Sequence, residues 1–138
     1  MNQIYEKYAV LAALAPQSLA DAASKDGVFV DMQSRDRFAF SVLLGAVAAG
    51  KSAKVELLSS ASVDGSGAVV EGNVTYTAPD GGVESHVVIV SGKVIPQRGR
   101  YLGVRVTNQG SAALLASAML VADSAWYPEE TSGTTLVV

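Results

Sequence analysis

The sequence has no cysteine, a single histidine (His86) and few charged side chains among its 138 residues. Without cysteine the chain can form no disulfide and carry out no thiolate chemistry, which fits a reducing cytoplasm. A zinc site would need more histidines or cysteines than this sequence supplies. The net charge of −3 argues against nucleic-acid binding, because that function needs a basic surface that displaces counterions.

Long hydrophobic runs and targeting patterns are absent as well. No apolar run reaches the length of a transmembrane helix. Glu6 and Lys7 interrupt the pattern that a signal peptide would show at the N-terminus. We therefore expect a soluble protein that has no membrane partner and is not exported by a conventional signal.

The motifs that carry common enzyme chemistry are also missing. The sequence contains no G-x-S-x-G nucleophile elbow, no P-loop and no dinucleotide fingerprint. The acidic pair Asp31 and Asp36 flanks a predicted turn, where Asp side chains commonly accept hydrogen bonds from nearby amides. His86 could act as a general base only with a nucleophile or substrate placed beside it, and no serine of the sequence lies in a nucleophile-elbow motif. We predict that the protein is not an enzyme and has no catalytic residue, metal, cofactor or small-molecule substrate.

The sequence does contain regular alternation of apolar residues, most clearly in its middle. Every second residue of one run is apolar, so these residues share one face of a strand: Phe38, Phe40, Val42 and Leu44. After a small-residue loop over 45–52, Val55 and Leu57 alternate with Lys54 and Glu56. This pattern predicts two half-buried strands joined as an antiparallel hairpin.

Further strands are predicted at roughly ten-residue spacing, over 28–30, 73–77, 85–90 and 101–107. Residues 111–123 are ambiguous, because their alanines favour a helix while their position favours a strand. We choose a strand that is buried on both faces. Together these patterns predict an all-β, antiparallel β-sandwich or jelly-roll-like domain over 27–128.

The two ends of the chain differ from this domain. Over residues 1–26, the recurrence of Ile4, Tyr8, Leu11 and Ala15 at helical spacing predicts an N-terminal helix that ends before Pro16, with an extended arm as the alternative. Residues 129–138 begin as a polar tail. They end in three apolar residues, Leu136, Val137 and Val138, which could attach to another subunit.

The order of several short motifs suggests a family. These motifs are Ala15-Pro16-Gln17, Asp26-Gly27, Val30-Asp31-Met32-Gln33, Arg37-Phe38-Ala39-Phe40, Leu44-Gly45-Ala46, Lys54-Val55-Glu56-Leu57, Asp64-Gly65-Ser66-Gly67 and Arg100-Tyr101-Leu102-Gly103-Val104-Arg105-Val106-Thr107. Each is a strand with its turn, and the order and spacing carry the likeness from about residue 15 to 123. The sequence resembles a family of small virion proteins of tailed bacteriophages that are encoded among the head genes.

The resemblance implies a β-sandwich or jelly-roll-like protein on the phage particle. The implied role is a capsid decoration or cement protein that binds the major capsid protein, often as a homotrimer on local three-fold axes. It would be made in the host cytoplasm and located on the capsid surface. A neck, tail or head-spike position remains open, and so does a carbohydrate-binding module for host adsorption.

Contacts with the shell or with neighbouring subunits are predicted mainly at the ends of the chain. Ile4, Tyr8 and Leu11 provide apolar side chains at the N-terminus, and Leu136, Val137 and Val138 provide them at the C-terminus. A small basic cluster predicts salt bridges between subunits: Arg98, Arg100 and Arg105.

Overall fold

The computed structural model describes residues 7–95, 98–110 and 112–123, which form nine β-strands. The strands are β1 (Tyr8–Leu19), β2 (Ser24–Asp26), β3 (Val30–Asp31), β4 (Arg37–Leu44), β5 (Ser52–Ser60), β6 (Val69–Thr77), β7 (His86–Lys93), β8 (Tyr101–Asn108) and β9 (Leu114–Asp123). The described residues include no helix with the length and apolarity needed to cross a membrane.

The strands form two antiparallel sheets. Sheet A contains β1, β9, β4 and β7 in that order, and sheet B contains β2, β8, β5 and β6, with the short β3 also paired to β8. The chain crosses from one sheet to the other at most connections, so strands that are neighbours in sequence are seldom neighbours in a sheet. This arrangement is that of a jelly roll. The predicted antiparallel, jelly-roll-like fold is confirmed.

The core lies between the sheets and is filled by the inward-facing residues of their central strands. The alternation predicted for the clearest run is confirmed, because one side of β4 is buried: Phe38, Phe40, Val42 and Leu44. β8 alternates in the same way, with Leu102, Val104 and Val106 buried. Burying each large side chain of this kind stabilises the fold by about 1.5–3 kcal/mol.

The predicted hairpin of β4 and β5 is wrong. β4 pairs with β7 and β9 in sheet A, whereas β5 pairs with β6 and β8 in sheet B. Each strand has an apolar face, and both faces are buried in the core when the two strands lie in opposite sheets. The connecting loop bridges the sheets and is held by an isolated bridge between Val47 and Val83.

The predicted N-terminal helix is wrong from Tyr8 onward, because these residues form the edge strand β1. The strand is antiparallel to β9, and Ala9 and Ala13 face the core. Register shifts on either side of Leu14 accommodate Pro16, which is tolerated at irregular positions of an edge strand. Pairing with β9 therefore overrides the helical spacing, and β1 and β2 bring residues 8–26 into the two sheets.

The ambiguous segment is a strand, as predicted, but its burial on both faces is wrong. Alternate residues of β9 from Leu114 to Ala122 are buried in the core. The other side of the strand is exposed, with Leu115 at 62% and Met119 at 52% of full exposure. A central strand therefore presents large apolar side chains outward.

Candidate contact surface

The outer face of sheet A, which points away from the core, carries no charge along most of its length. The antiparallel register brings outward residues of different strands side by side, so that Leu43 lies between Val87 on β7 and Ser117 on β9. The outward residues between the two ends of the sheet are Val10, Ala12, Ala39, Ser41, Leu43, Val87, Ile89, Ser91, Leu115, Ser117, Met119 and Val121.

Large hydrophobic side chains are concentrated on this face. Of the eleven that stand exposed in the described part of the chain, five lie here: Leu43, Val87, Ile89, Leu115 and Met119. Standard strand spacing and rise give a face four strands wide and eight residues long an area of about 500 Å². Apolar patches of several hundred Å² on a protein surface commonly mark contact sites.

The outer face of sheet B is polar by contrast. On it, the Arg105 guanidinium lies 2.6 Å from the Asp26 carboxylate, and the Lys54 ammonium lies 3.7 Å from Glu56. Hydroxyl pairs add to this surface, since Ser24 and Thr107 lie 2.7 Å apart. The two outer faces of the sandwich therefore differ in chemistry, because ion pairs and hydroxyls lie on that of sheet B beside a single exposed valine, Val70, whereas that of sheet A is uncharged along most of its length.

A groove opens at each end of the sheet A face. The groove beside the start of β9 has a volume of about 380 Å³ and is lined mainly by apolar groups of Pro16, Leu43, Gly45 and Leu115. We call it the β9-start groove. The groove beside the other end of the strand has a volume of about 200 Å³ and is lined by Tyr8, Arg37, Phe38, Ala39, Val121, Ala122 and Asp123. We call it the β9-end groove.

Charged residues on this face are confined to the β9-end side. The Arg37 backbone amide and guanidinium donate to the Asp123 carboxylate at 2.9 and 3.2 Å, and Lys93 lies opposite Arg37 in the sheet. Burial acts to raise the pKa of Asp123, but the hydrogen bonds from Arg37 outweigh it and hold this pKa below its usual value. The apolar part of the sheet A face is therefore bordered by charged residues at one end, the end where β9 finishes.

The predicted N-terminal contact residues occupy different environments. Tyr8 is half-buried, lies opposite Asp123 and lines the β9-end groove, so it borders the sheet A face. Leu11 packs against the protein's own core. Ile4, Leu136, Val137 and Val138 lie outside the described residues, and their contact roles stay predictions.

The three predicted interface arginines each approach a carboxylate of their own chain. Arg100 forms a two-pronged hydrogen bond with Asp31 at 2.8 and 2.7 Å, and Arg105 does so with Asp26 at 2.6 and 3.2 Å. Arg98 lies 3.7 Å from Glu71. These pairs link the loops and strands of one subunit, and a role of the arginines between subunits stays a prediction.

The single histidine and two of the tyrosines that could serve a sugar site pack against other side chains. His86 stacks on Tyr76 with ring centroids 3.6 Å apart, which joins edge strands of opposite sheets. Tyr101 is half-buried beside Arg100, while Trp126 and Tyr127 lie outside the described residues. Within the described ranges, no three His, Asp or Glu residues are grouped so that they could hold a metal ion.

Sequence reasoning missed the sheet A face because its residues come from four distant segments. Only the strand register places Leu43, Ile89 and Met119 on one surface. One signal was present in the sequence, namely that β9 is apolar on both of its sides. The prediction that both sides are buried recorded that signal but assigned the outer side to the core.

The sequence matches no known protein family and no curated protein. Solved structures do share its fold. The PBSX exported protein XepA aligns with a TM-score of 0.58 and 10% identity, over 100% of this chain and 44% of that one. The PRD1 vertex protein P5 aligns with a TM-score of 0.51 and 12% identity, over 86% of this chain and 98% of that one.

A chain in the structure of infectious bursal disease virus, Gx strain, also aligns, with a TM-score of 0.52 and 10% identity. The alignment covers 88% of the present chain and 33% of the viral one. At these identities the likeness establishes a shared fold and nothing further. The present chain spans less than half the length of XepA.

Proposed function

We propose that the protein is a structural component of a bacteriophage virion that decorates the capsid shell as a cement protein. In this proposal its partner is the major capsid protein, its copies assemble as an oligomer on the shell, a trimer at three-fold positions, and it performs no catalysis. It is made in the host cytoplasm and ends on the virion surface. The observation that carries the proposal is the uncharged outer face of sheet A.

The chemistry of this face suits permanent contact with another protein. Apolar surface contributes about 25 cal/mol per Å² when it is removed from water, so 300 Å² of it contributes roughly 7 kcal/mol before the costs of association. The same contact would recur at every equivalent lattice position. Many such contacts together would raise the barrier to rupture of the shell.

The fold and the sequence resemblance are two separate observations that support the proposed role in a virion. The motif order resembles small head-gene proteins of tailed phages, and the fold is shared with a PRD1 vertex protein and with a chain from a virus structure. These likenesses support a place in a virion at the level of fold. The specific place on the shell is our proposal.

Two other functions, a neck, tail or head-spike component and a carbohydrate-binding module, would require different properties of this protein. A neck, tail or head-spike component would use the apolar face at a unique position, so its copy number per particle would be small. A carbohydrate-binding adsorption module would require a free aromatic face, and Tyr76 already has one side covered by His86. Copy number and glycan binding therefore separate these assignments from decoration.

The decisive experiment compares phage particles that carry the gene with particles from which it has been deleted. We expect purified wild-type particles to contain the protein in a number that matches a lattice position. We expect particles made without the gene to assemble but to lose infectivity faster than wild-type particles on heating and at low salt. Absence from wild-type particles, or equal survival of both particles, would remove the cement function; a low copy number would instead support a neck, tail or spike position.

A further inference from the structure

Strand β7 forms an open edge of sheet A, because it pairs with β4 on one side and with no other strand of the described residues. Just beyond the strand, the Val94 amide donates to the Asp36 carbonyl of the β4 side at 2.8 Å. Backbone groups in an antiparallel ladder alternate in direction with each residue. The amides and carbonyls of Val87, Ile89 and Ser91 therefore point away from β4, towards the open edge.

One end of this edge is closed by an arginine. The Arg98 guanidinium donates to the Lys93 carbonyl at 3.1 Å. Lys93 is an even number of residues from Ile89, so its carbonyl points to the open edge as well, in agreement with the direction derived from Val94. The open part of the edge therefore runs from Val87 to Ser91 and is centred on Ile89.

The other sheet edges carry features that hinder pairing with another chain. β1 contains Pro16 and two register shifts, and β6 has a register shift where it faces Leu57 and Leu58. β2 and β3 are only three and two residues long. Proteins protect sheet edges by such irregularities, by short strands and by charge. β7 keeps an unbroken register with β4, and its residues from Val87 to Gly92 include no charge and no proline.

The open part of β7 is complementary to itself. A two-fold axis at Ile89 places this residue opposite Ile89 of a second copy, and Val87 opposite Ser91 of that copy. Each such pair exchanges both of its backbone hydrogen bonds, so about six bonds satisfy every open group of the two edges. The Ile89 side chain is 63% exposed, and in this register it packs against its own copy across the axis.

Two charged side chains at opposite ends of β7 fit the same arrangement. Glu84 lies just before the strand, Lys93 ends it, and both are exposed. Neither forms an ion pair with another described residue of the chain. With Ile89 on the axis, Lys93 lies opposite Ser85 of the second copy and next to its Glu84. The symmetry forms this opposite-charge contact twice, which favours a second copy as the occupant of the edge.

We propose that two copies of the protein pair antiparallel through β7 in this register, so that their A sheets join into one continuous sheet. The contact covers the open edge and leaves the outer face of sheet A exposed on both copies. It forms in the free protein and does not rest on the proposed function. On a shell, the same contact would join subunits of neighbouring three-fold positions, which two-fold axes relate; only this last step rests on that function.

The size of the contact sets the concentration at which it forms. β7 has eight residues, so its edge is about 27 Å long and, within one sheet layer, about 10 Å deep. Two such edges bury about 500 Å² together, which is the size of a weak contact. We therefore expect a dimer that dissociates at around 100 μM.

Sedimentation of the purified protein from about 5 to about 1,000 μM tests the pairing. Ile89→Lys places a charge on the proposed axis, whereas Met119→Lys places the same charge on the same outer face but on the central strand β9. We expect wild type and Met119→Lys to pass from monomer to dimer, and Ile89→Lys to need at least about tenfold more protein. A wild-type protein that stays monomeric, or equal behaviour of the two variants, would overturn the proposal.

A cysteine at the axis tests the register. Residues opposite each other in a hydrogen-bonded antiparallel pair have Cα atoms about 5.5 Å apart, which a disulfide can span. The chain has no native cysteine, so an introduced thiol reports only its own contact. At about 100 μM protein under mild oxidation, we expect Ile89→Cys to form dimers at least about tenfold faster than the exposed control Met119→Cys. Equal rates would contradict the register. Neither test uses particles, so their failure would leave the cement function standing.

Discussion

At the scale of single residues, one buried amide holds together the turns at one end of the sandwich. Asn108 is 2% exposed, and its side-chain amide donates to the Leu19 and Ala112 carbonyls at 3.0 and 2.7 Å. Its side-chain oxygen accepts from the Gly110 amide at 2.9 Å. One side chain thus joins the end of β1 to the connection between β8 and β9.

Asn108→Ala is expected to lower the free energy of unfolding by about 2–4 kcal/mol, because several buried backbone groups would lose their partner. Urea unfolding of the purified protein measures the loss. The neighbouring Gln109→Ala is the control, since Gln109 is exposed and its backbone bond to Ser52 is kept. A loss below about 0.5 kcal/mol in Asn108→Ala, the range of ordinary surface changes, would contradict this role.

Asp31 gives the fold a pH-dependent contribution. Its two-pronged hydrogen bond with Arg100 lowers the pKa of Asp31 and outweighs burial, which acts in the other direction. A carboxyl whose pKa is lower in the folded state stabilises that state above its unfolded pKa of about 3.9. That stability is lost as the pH falls through the folded pKa.

Asp31→Asn should therefore cost up to about 1 kcal/mol at pH 7, the usual limit for a solvent-exposed ion pair. The difference from wild type should shrink as the pH falls below about 3.9. Urea unfolding at pH 7 and at pH 3 measures both values, with Asp80→Asn in an exposed turn as the control. An equal cost at both pH values would show that the ion pair is not the source.

At the scale of elements, a close approach of backbone fixes the position of one glycine. A Cβ built on Gly27 would lie 2.1 Å from the Ala13 carbonyl oxygen, the same oxygen that accepts from the Val28 amide at 2.8 Å. The Gly27 amide donates to the Val104 carbonyl. The segment after β2 can contact both β1 and β8 only because residue 27 has no side chain.

Gly27→Ala is expected to destabilise the fold by about 1–3 kcal/mol through this overpacking. Gly72→Ala on β6 is a matched control, because a Cβ there meets nothing within 4 Å. Thermal unfolding of the two variants compares them directly. Equal midpoints would mean that the backbone at residue 27 can move away at no cost.

The elements also show which parts of the fold the sequence could predict. Alternation in β4 correctly identified the buried face of that strand, because period two is a local property. The partner of a strand is not local, so β4 and β5 were wrongly joined as a hairpin. The spacing of Tyr8, Leu11 and Ala15 suited a helix locally, and pairing with β9 decided otherwise.

At the scale of the whole molecule, the apolar outer face of sheet A, which we propose as the contact surface, could not be predicted from the sequence. The predicted contact residues lie at the chain ends and in the arginine cluster, whereas the structure assembles an apolar face from the middles of its strands. Leu43 and Met119 are 76 positions apart in the sequence, and the sheet register alone places them on one surface. Among the predicted contact residues that the structure describes, only Tyr8 borders that face.

The absence of charge on this face predicts how attachment responds to salt. Screening weakens contacts between charged groups but leaves apolar contacts intact, and strongly hydrated salts strengthen the latter. We expect the protein to stay on particles during a wash in 1 M sodium chloride. Quantitative gel analysis of washed particles measures the retained fraction. Release by salt would indicate attachment through ion pairs, such as those of the arginine cluster.

The most direct test measures how tightly two purified charge variants bind to phage particles that were made without the gene for this protein. Met119→Glu introduces a carboxylate at the centre of the sheet A face, and Thr75→Glu introduces one on the outer face of sheet B. Both positions are exposed, so both variants should fold with near-native unfolding midpoints. We expect Met119→Glu to bind particles at least about a hundredfold more weakly than wild type, because burying an unpaired carboxylate costs several kcal/mol. Thr75→Glu should bind as wild type does, and equal binding of the two variants would contradict the assignment of the sheet A face.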